Sequence, residues 1–383
     1  MIHKRDNKFV MIGSFPPPVH GMAVVNAEVR ESLRRAGVEP VVINVSAASL
    51  NRSFVVRLGR LPKVFSGLIR LFCLHRIGKE TLYMSVSGGF GQIYEMFFAM
   101  VARWRKMRVY LHHHSFAYLD RSRFLNTVLT MIAGPRCVHI TQSLGMKNRL
   151  QSKYSAVQRA VPISNVVFLM DSVSRRYVPR VRLKTIGFIS NVAEEKGIFE
   201  FLDLVSACES NALDLRATIA GPLQDSQTEQ RVRQRISELS TVEYLGPLYG
   251  EAKRDFFASI DVLIFPTLYY NETEGIVNHE AMCEGVPVIA YGRGCIPEII
   301  PPACGLVIDP GDPFVPAALG QLRQWIYDPH SYAEASRSAG ERFACALEEN
   351  VGRWEDLLHE MIDGEKEDPH KSGNESERLL SNA

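Results

Sequence analysis

Glu272 and Glu280 lie eight residues apart in PTLYYNETEGIVNHEAMCEGVPVIAYGRGCIPEII, residues 266–300. The first falls in an acidic loop, NETEG, after an apolar run ending at Phe265 and Pro266; the second falls on the helix that IVNHEAMCEG is expected to form. One carboxylate in the loop and one on the helix can both face a cleft. The backbone amides of Gly275, Ile276 and Val277 open that helix, and helix N-termini hold anions through their unpaired N–H groups. Carboxylates that bind hydroxyls, set beside amides that hold phosphate, are what a nucleotide-sugar requires. The same spacing also describes an acidic loop before an ordinary capped helix, and spacing alone does not separate the two.

Other segments carry residue types able to meet a ligand. The loop Phe15–Gly21 has three prolines and then Gly21, a stiff approach ending where a backbone can come close. SGGFG at 87–91 is a glycine turn without dinucleotide spacing or a P-loop lysine, and reads as a plain turn. His112, His113 and His114 end a strand, where neighbours point to opposite faces, so the three imidazoles cannot share one ion. No Asp-x-Asp occurs, and seven cysteines show neither Cys-x-x-Cys pairing nor zinc spacing. No metal or cofactor is expected. Reduced thiols and a cytoplasmic protein are expected.

The elements that must position these residues follow from pattern. The 383 residues are 46% apolar and 22% charged, the profile of a globular chain of about two domains. Strand-like runs at 9–15, 40–45, 81–86, 108–113 and 137–141 alternate with helical stretches. A polar, Arg-rich segment at about 170–184 reads as a linker. The rhythm resumes at 185–190, 216–221, 242–246, 261–266, 286–291 and 305–309. This alternation predicts two α/β, Rossmann-like, doubly wound domains facing across a cleft, over 1–183 and 184–346. A C-terminal helix at 347–363 is expected to cross back to the first domain, and the polar stretch 364–383 to be disordered. Met1–Asn7 is charged, so no secretion signal is expected, and no run approaches about 18 apolar residues. Ligands of open parallel sheets bind beyond the carboxyl ends of the strands, which confines the search to the loops there.

With these residues in hand, 266–300 resembles the signature of the retaining glycosyltransferases of family 4, which have the GT-B fold. The match is Glu272, Gly275, Glu280, Ala281, Met282, Gly285, Pro287 and Val288. The resemblance implies that Glu272 contacts the donor sugar near the reacting carbon, that Glu280 holds the ribose hydroxyls, and that the amides of Gly275, Ile276 and Val277 touch sugar and phosphate. VEYLGPLYGEAKRDFFASIDVLIFPT (242–267), IAGPL (219–223) and GFISNVAEEKGI (187–198) are similar to further family blocks in the same order. Lys196 matches the phosphate-binding lysine, a point charge able to neutralise a diphosphate leaving group. The family's usual arginine falls on Asn191, which donates a hydrogen bond but adds no charge. Arg293 either compensates or is a solvated surface arginine. In the first domain the resemblance places Gly21 in the loop that closes over the diphosphate, and a histidine, His114 or alternatively His113, near acceptor and donor sugar. Asn165 falls in a Pro-Asn-Gly place and reads as structural.

The net charge of +2 hides segregation: residues 1–183 hold 28 Lys and Arg against 8 Asp and Glu, whereas 184–383 hold 16 against 34. Residues 50–79 mix bulky apolar side chains with Arg57, Arg60, Lys63, Arg70, Arg76 and Lys79, and 96–108 adds a second basic stretch with Trp104. The apolar faces are expected to cover the sheet, and the cations to rest on an anionic membrane surface. Nucleic acid is not an expected partner, because no recognition module accompanies the charge. The partners implied are a nucleotide-sugar donor and a lipid-linked or saccharide acceptor. The competing readings are a sugar-nucleotide epimerase on the same fold and a non-catalytic scaffold. The first strand-to-helix turn, GSFPPPVHG, lacks the glycine fingerprint of a nicotinamide dehydrogenase.

Overall fold

The computed structural model describes residues 9–47, 59–74, 80–174 and 178–364. Expectations for Met1–Asn7, Arg57, Arg76, Lys79 and residues 365–383 lie outside them.

Two six-stranded, all-parallel sheets form the chain. The first holds β1 (Phe9–Gly13), β2 (Val41–Asn44), β3 (Thr81–Val86), β4 (Arg108–His113), β5 (Val138–Thr141) and β6 (Arg159–Pro162), in the order β2-β1-β3-β4-β5-β6. The second holds β7 (Thr185–Ile189), β8 (Arg216–Ala220), β9 (Val242–Tyr244), β10 (Val262–Phe265), β11 (Val288–Tyr291) and β12 (Gly305–Ile308), in the order β12-β11-β10-β7-β8-β9. Every residue of β1 and β3 is buried, as strands covered by helices on both faces must be. The sequence reading missed β6. RAVP is short, opens on arginine and closes on proline, which a sheet edge tolerates and an apolar-run search passes over.

Among the described residues, the α-helices longer than one turn are α1 (Gly21–Arg35), α2 (Leu61–Phe72), α3 (Gly91–Trp104), α4 (Phe124–Ala133), α5 (Leu144–Lys153), α6 (Ile198–Ser210), α7 (Ser226–Ser237), α8 (Gly250–Ser259), α9 (Ile276–Cys283), α10 (Phe314–Tyr327) and α11 (Pro329–Asp363). In place of a separate segment from 347, α11 is one helix of 35 residues, capped by Asp328, whose side chain accepts from Ser331 N. Ser336 near its start bonds the carbonyl of Gly285 in the second domain, and Met361 near its end accepts from Thr81 of β3. Glu360 takes Arg159 and the Tyr110 hydroxyl at 2.5 and 2.9 Å, tying the helix end to β4 and β6.

The expected linker is more tightly held than its polarity suggests. Turns of 3-10 helix run over Asn165–Ser174, and Arg180 donates to the Ile260 and Phe257 carbonyls at 2.8 and 2.9 Å, satisfying acceptors at the end of α8. The two basic stretches also divide differently from expectation. α2 and α3 bury Val64, Leu71, Phe98 and Ala102 on the sheet but leave large apolar residues in water. Arg105 is buried and paired with buried Glu80 at 2.8 Å. No described helix is long and apolar enough to cross a membrane. All seven cysteines are free.

Candidate functional site: a cleft between the sheets

Strand order reverses between β1 and β3 in one sheet and between β7 and β10 in the other, and the loops that diverge there open a crevice. A cleft of about 830 Å³ lies at this place. His20 and Gly21 after β1, Ser87–Gly91 after β3 and His114 after β4 line one wall; Asn191 and Lys196 after β7 and Glu272, Gly275 and Ile276 after β10 line the other.

Lys196 ends a single 3-10 turn, Glu194–Lys196, and its ammonium meets Glu272 Oε2 at 2.5 Å while lying 4.4 Å from the centre of the Tyr269 ring. The Thr267 hydroxyl donates to the same carboxylate at 3.3 Å. The two side chains assigned to phosphate and to sugar are therefore each other's partner. Gly197 fixes this turn at φ +84°, where an added Cβ would stand 2.1 Å from the Pro266 carbonyl oxygen. Gly275, at φ +58°, would put a Cβ 2.6 Å from the Phe265 ring. Only glycine gives the left-handed turn and the close approach that aim the opening amides of α9 at the cleft.

Glu280 and Val277 are not on the cleft wall. Glu280 faces α8, where the Lys253 ammonium holds both of its carboxylate oxygens at 2.6 Å. Lys253 is a residue sequence reasoning missed, although it lies inside a quoted block. Arg293 is neither a compensating cleft cation nor a solvated one: its guanidinium bonds Asp120 across the domains and the Tyr269 carbonyl. The SGGFG turn proves to be cleft wall. A Cβ on Gly88 would collide with Asn271 Oδ1, which already accepts from the Ser115 hydroxyl at 2.7 Å. Glu274 is 1% exposed and accepts from the backbone N–H of Asn165 at 2.8 Å, giving that asparagine's segment a second-domain anchor.

The histidine run divides as strand alternation requires. His113 points away from the cleft, bonded to the Tyr118 hydroxyl at 2.8 Å and His139 at 2.9 Å. His112 and His114 share the other face, their rings 4.1 Å apart, with Tyr83 bonded to His112 at 2.6 Å. Burial, reinforced by His20, lowers the pKa of His114 to about 3, so it is a neutral imidazole. Gln142 sends its amide nitrogen to the His113 carbonyl and to His114 Nδ1 at 3.4 and 3.2 Å. A carbonyl only accepts, so this nitrogen donates, Nδ1 accepts, and the His114 proton sits on Nε2, which has no protein partner.

Burial lowers five imidazoles in this region, His20 and His139 to about 4 and His112, His113 and His114 further. The unfolded chain takes up these protons near pH 6.5 and the folded chain does not. Each contributes stability that is complete above 6.5 and falls by up to about 1.4 kcal/mol per pH unit below it. Glu95, raised by burial to about 7, opposes with one proton between 4.5 and 7. Unfolding followed at pH 7.5 and 5.5 is expected to show a steep loss at the lower pH; a flat profile contradicts the buried neutral cluster.

Two parallel α/β domains with a cleft between their carboxyl ends are the GT-B class. The fold is shared with a sucrose-phosphate synthase from Thermosynechococcus elongatus, at a TM-score of 0.71 and 16% identity, over 94% of this chain and 100% of that one. It is also shared with Anabaena Alr3699/HepE, solved in complex with UDP, at 0.66 and 17%, over 91% and 99%. Residues 173–342 match the family described as glycosyl transferases group 1. A sulfoquinovosyl transferase, SQD2, of Arabidopsis thaliana is 25% identical over 60% of this chain and 47% of its own length. A GDP-mannose-dependent alpha-mannosyltransferase of Mycolicibacterium smegmatis is 30% identical over 45% and 43%. The chain spans about half or less of the length of these curated relatives.

Proposed function

We propose that this chain is a retaining glycosyltransferase of family 4 that moves a sugar from a nucleotide-sugar, held by the second domain, to an acceptor held by the first. The acceptor is a lipid-linked saccharide or a related precursor of a surface polysaccharide or glycolipid, and transfer takes place on the cytoplasmic side of a membrane. One observation carries the reading: Lys196, Glu272, Gly275 and Ile276 share one wall of a cleft whose other wall includes His114.

In this reading the diphosphate displaces Glu272 from Lys196, and the freed carboxylate holds the sugar hydroxyls. The acceptor hydroxyl attacks the face from which the diphosphate leaves. A new C–O bond forms as the sugar–phosphate bond breaks, and a phosphate oxygen takes the hydroxyl proton. Lys196 and the amides stabilise the negative charge that develops on the leaving group. His114 donates its Nε2 proton to a sugar or acceptor oxygen in a hydrogen bond. These protein groups stand where other sites would use a metal. Glu280 reaches the ribose by exchanging its Lys253 contact for hydroxyls.

HepE is solved with UDP, and one relative is named for GDP-mannose, so uridine and guanosine diphosphates and their sugars are the first calorimetric panel. One base class is expected to bind, and Glu280→Ala to weaken it roughly tenfold. Absence of binding at about 1 mM overturns the reading.

A further inference from the structure

α2, α3 and α4 lie side by side on the outer face of the first sheet. On α2, Phe65, Ile69 and Phe72 recur along one ridge, and Phe65 is 67% exposed. On α3, Phe97, Met100 and Trp104 form a parallel ridge, with Trp104 59% exposed. The ridges join where Phe72 stacks on Trp104, ring centres 4.9 Å apart and planes within 10°. All three helices begin at the cleft: Arg60, just before α2, and Phe90 and Phe124, at the starts of α3 and α4, line it. Phe90 and Phe124 are also 72% and 79% exposed, so the apolar face runs without interruption into the cleft mouth.

The charge on this face is of one sign. Lys63, Arg70, Arg103, Lys106 and Arg121 are exposed, and the carboxylates between residues 61 and 136 are three: Glu80, Glu95 and Asp120. Glu80 is buried against Arg105, Asp120 is held by Arg293, and Glu95 turns inward to accept from the Ser87 N–H. A second copy set face to face on this surface would oppose cation to cation. A polyphosphate strand would meet the cations and leave the aromatic ridges in water.

We propose that this face is an interfacial membrane-docking surface for anionic lipid. It would lie flat with its aromatic ridges in the acyl boundary and its cations on headgroups, and feed the cleft with an amphiphilic acceptor. The inference rests on the transferase reading only for the acceptor. The acceptor's chains stay in the bilayer while its polar head passes between Phe90 and Phe124 to the reacting centre. Sequence pattern alone puts only the cations at the membrane; the exposed aromatic ridges reverse the roles, since apolar burial supplies the attachment and charge selects the lipid.

The test is flotation of the full chain with phosphatidylcholine vesicles, with and without phosphatidylglycerol. Trp104 emission is recorded alongside, since the other two tryptophans are buried. Flotation with the anionic vesicles, a blue shift of Trp104, weakening in high salt, and at least tenfold weaker binding by Phe65→Ser/Phe97→Ser are expected. The double variant should keep its thermal midpoint and nucleotide binding, which separates lost docking from lost folding. Absence of flotation overturns the surface while leaving the nucleotide panel to judge the transferase reading. A dimer in light scattering that the double variant dissociates, with no vesicle binding, assigns the face to a second copy and also overturns it.

Discussion

Lys196→Ala is expected to lower transfer by about 10²–10³-fold, the loss that follows removal of one group stabilising developing charge in an enclosed site. The same substitution should weaken a bare nucleoside diphosphate by roughly tenfold or more, because a charge-assisted bond is lost. Glu272→Gln is predicted to do the reverse to the bare diphosphate. The Glu272 carboxylate occupies Lys196 at 2.5 Å, so a phosphate must displace it, and an amide competes less strongly. Tighter diphosphate binding, by several-fold, should therefore accompany near-complete loss of sugar transfer. Calorimetry with the diphosphate and with the intact nucleotide-sugar reads both halves. If Glu272→Gln weakens both ligands equally, the carboxylate supports the fold of the loop and does not contend for the lysine.

Glu80→Ala should cost about 3–5 kcal/mol, the range for stranding one member of a buried ion pair. Arg105 and Glu80 are 2% and 1% exposed at the side chain. The guanidinium also donates to the Phe72 and Leu74 carbonyls at 2.8 Å, joining the end of α2 to the end of α3. Removing the carboxylate takes the Glu80 charge from an interior guanidinium that also bonds the Phe72 and Leu74 carbonyls. Arg105→Met/Glu80→Leu, which removes both charges and fills the space, should recover most of the loss. The first domain is the one that weakens, so nucleotide binding by the second should outlast the early unfolding transition. A Glu80→Ala protein with an unchanged midpoint would show that the pair contributes nothing net.

Much of this fold was legible in the sequence, for reasons that also explain the misses. The six strands of the second domain are apolar runs closed by turn residues, and each lies at its expected place. β6 has no such run. The break expected before residue 347 does not exist, because residues 329–363 keep an apolar stripe that changes partners from one domain to the other without changing period. Glu272, Lys196 and Gly275 could be found because each follows a strand and sits in a local motif. Ser115 with Asn271, and Arg293 with Asp120, could not: 156 and 173 residues separate the partners, and no local pattern carries such a contact. Arg105 looked like any cation of a basic helix. Only its position at the joint of two helices makes it interior.

Helix α11 has a consequence for the order in which the protein can be made. Trp354, Leu357 and Met361 belong to the same apolar cluster as Phe9, Met11 and Val25, and Glu360 closes the edge of the first sheet through Arg159. The domain translated first therefore lacks part of its own interior until the last helix has left the ribosome. Its early strands must wait, incompletely covered, while the whole second domain is synthesised. A chain stopped at the end of α10 would carry a second domain that is complete but for the packing of α11, joined to a leading half that never receives its final layer.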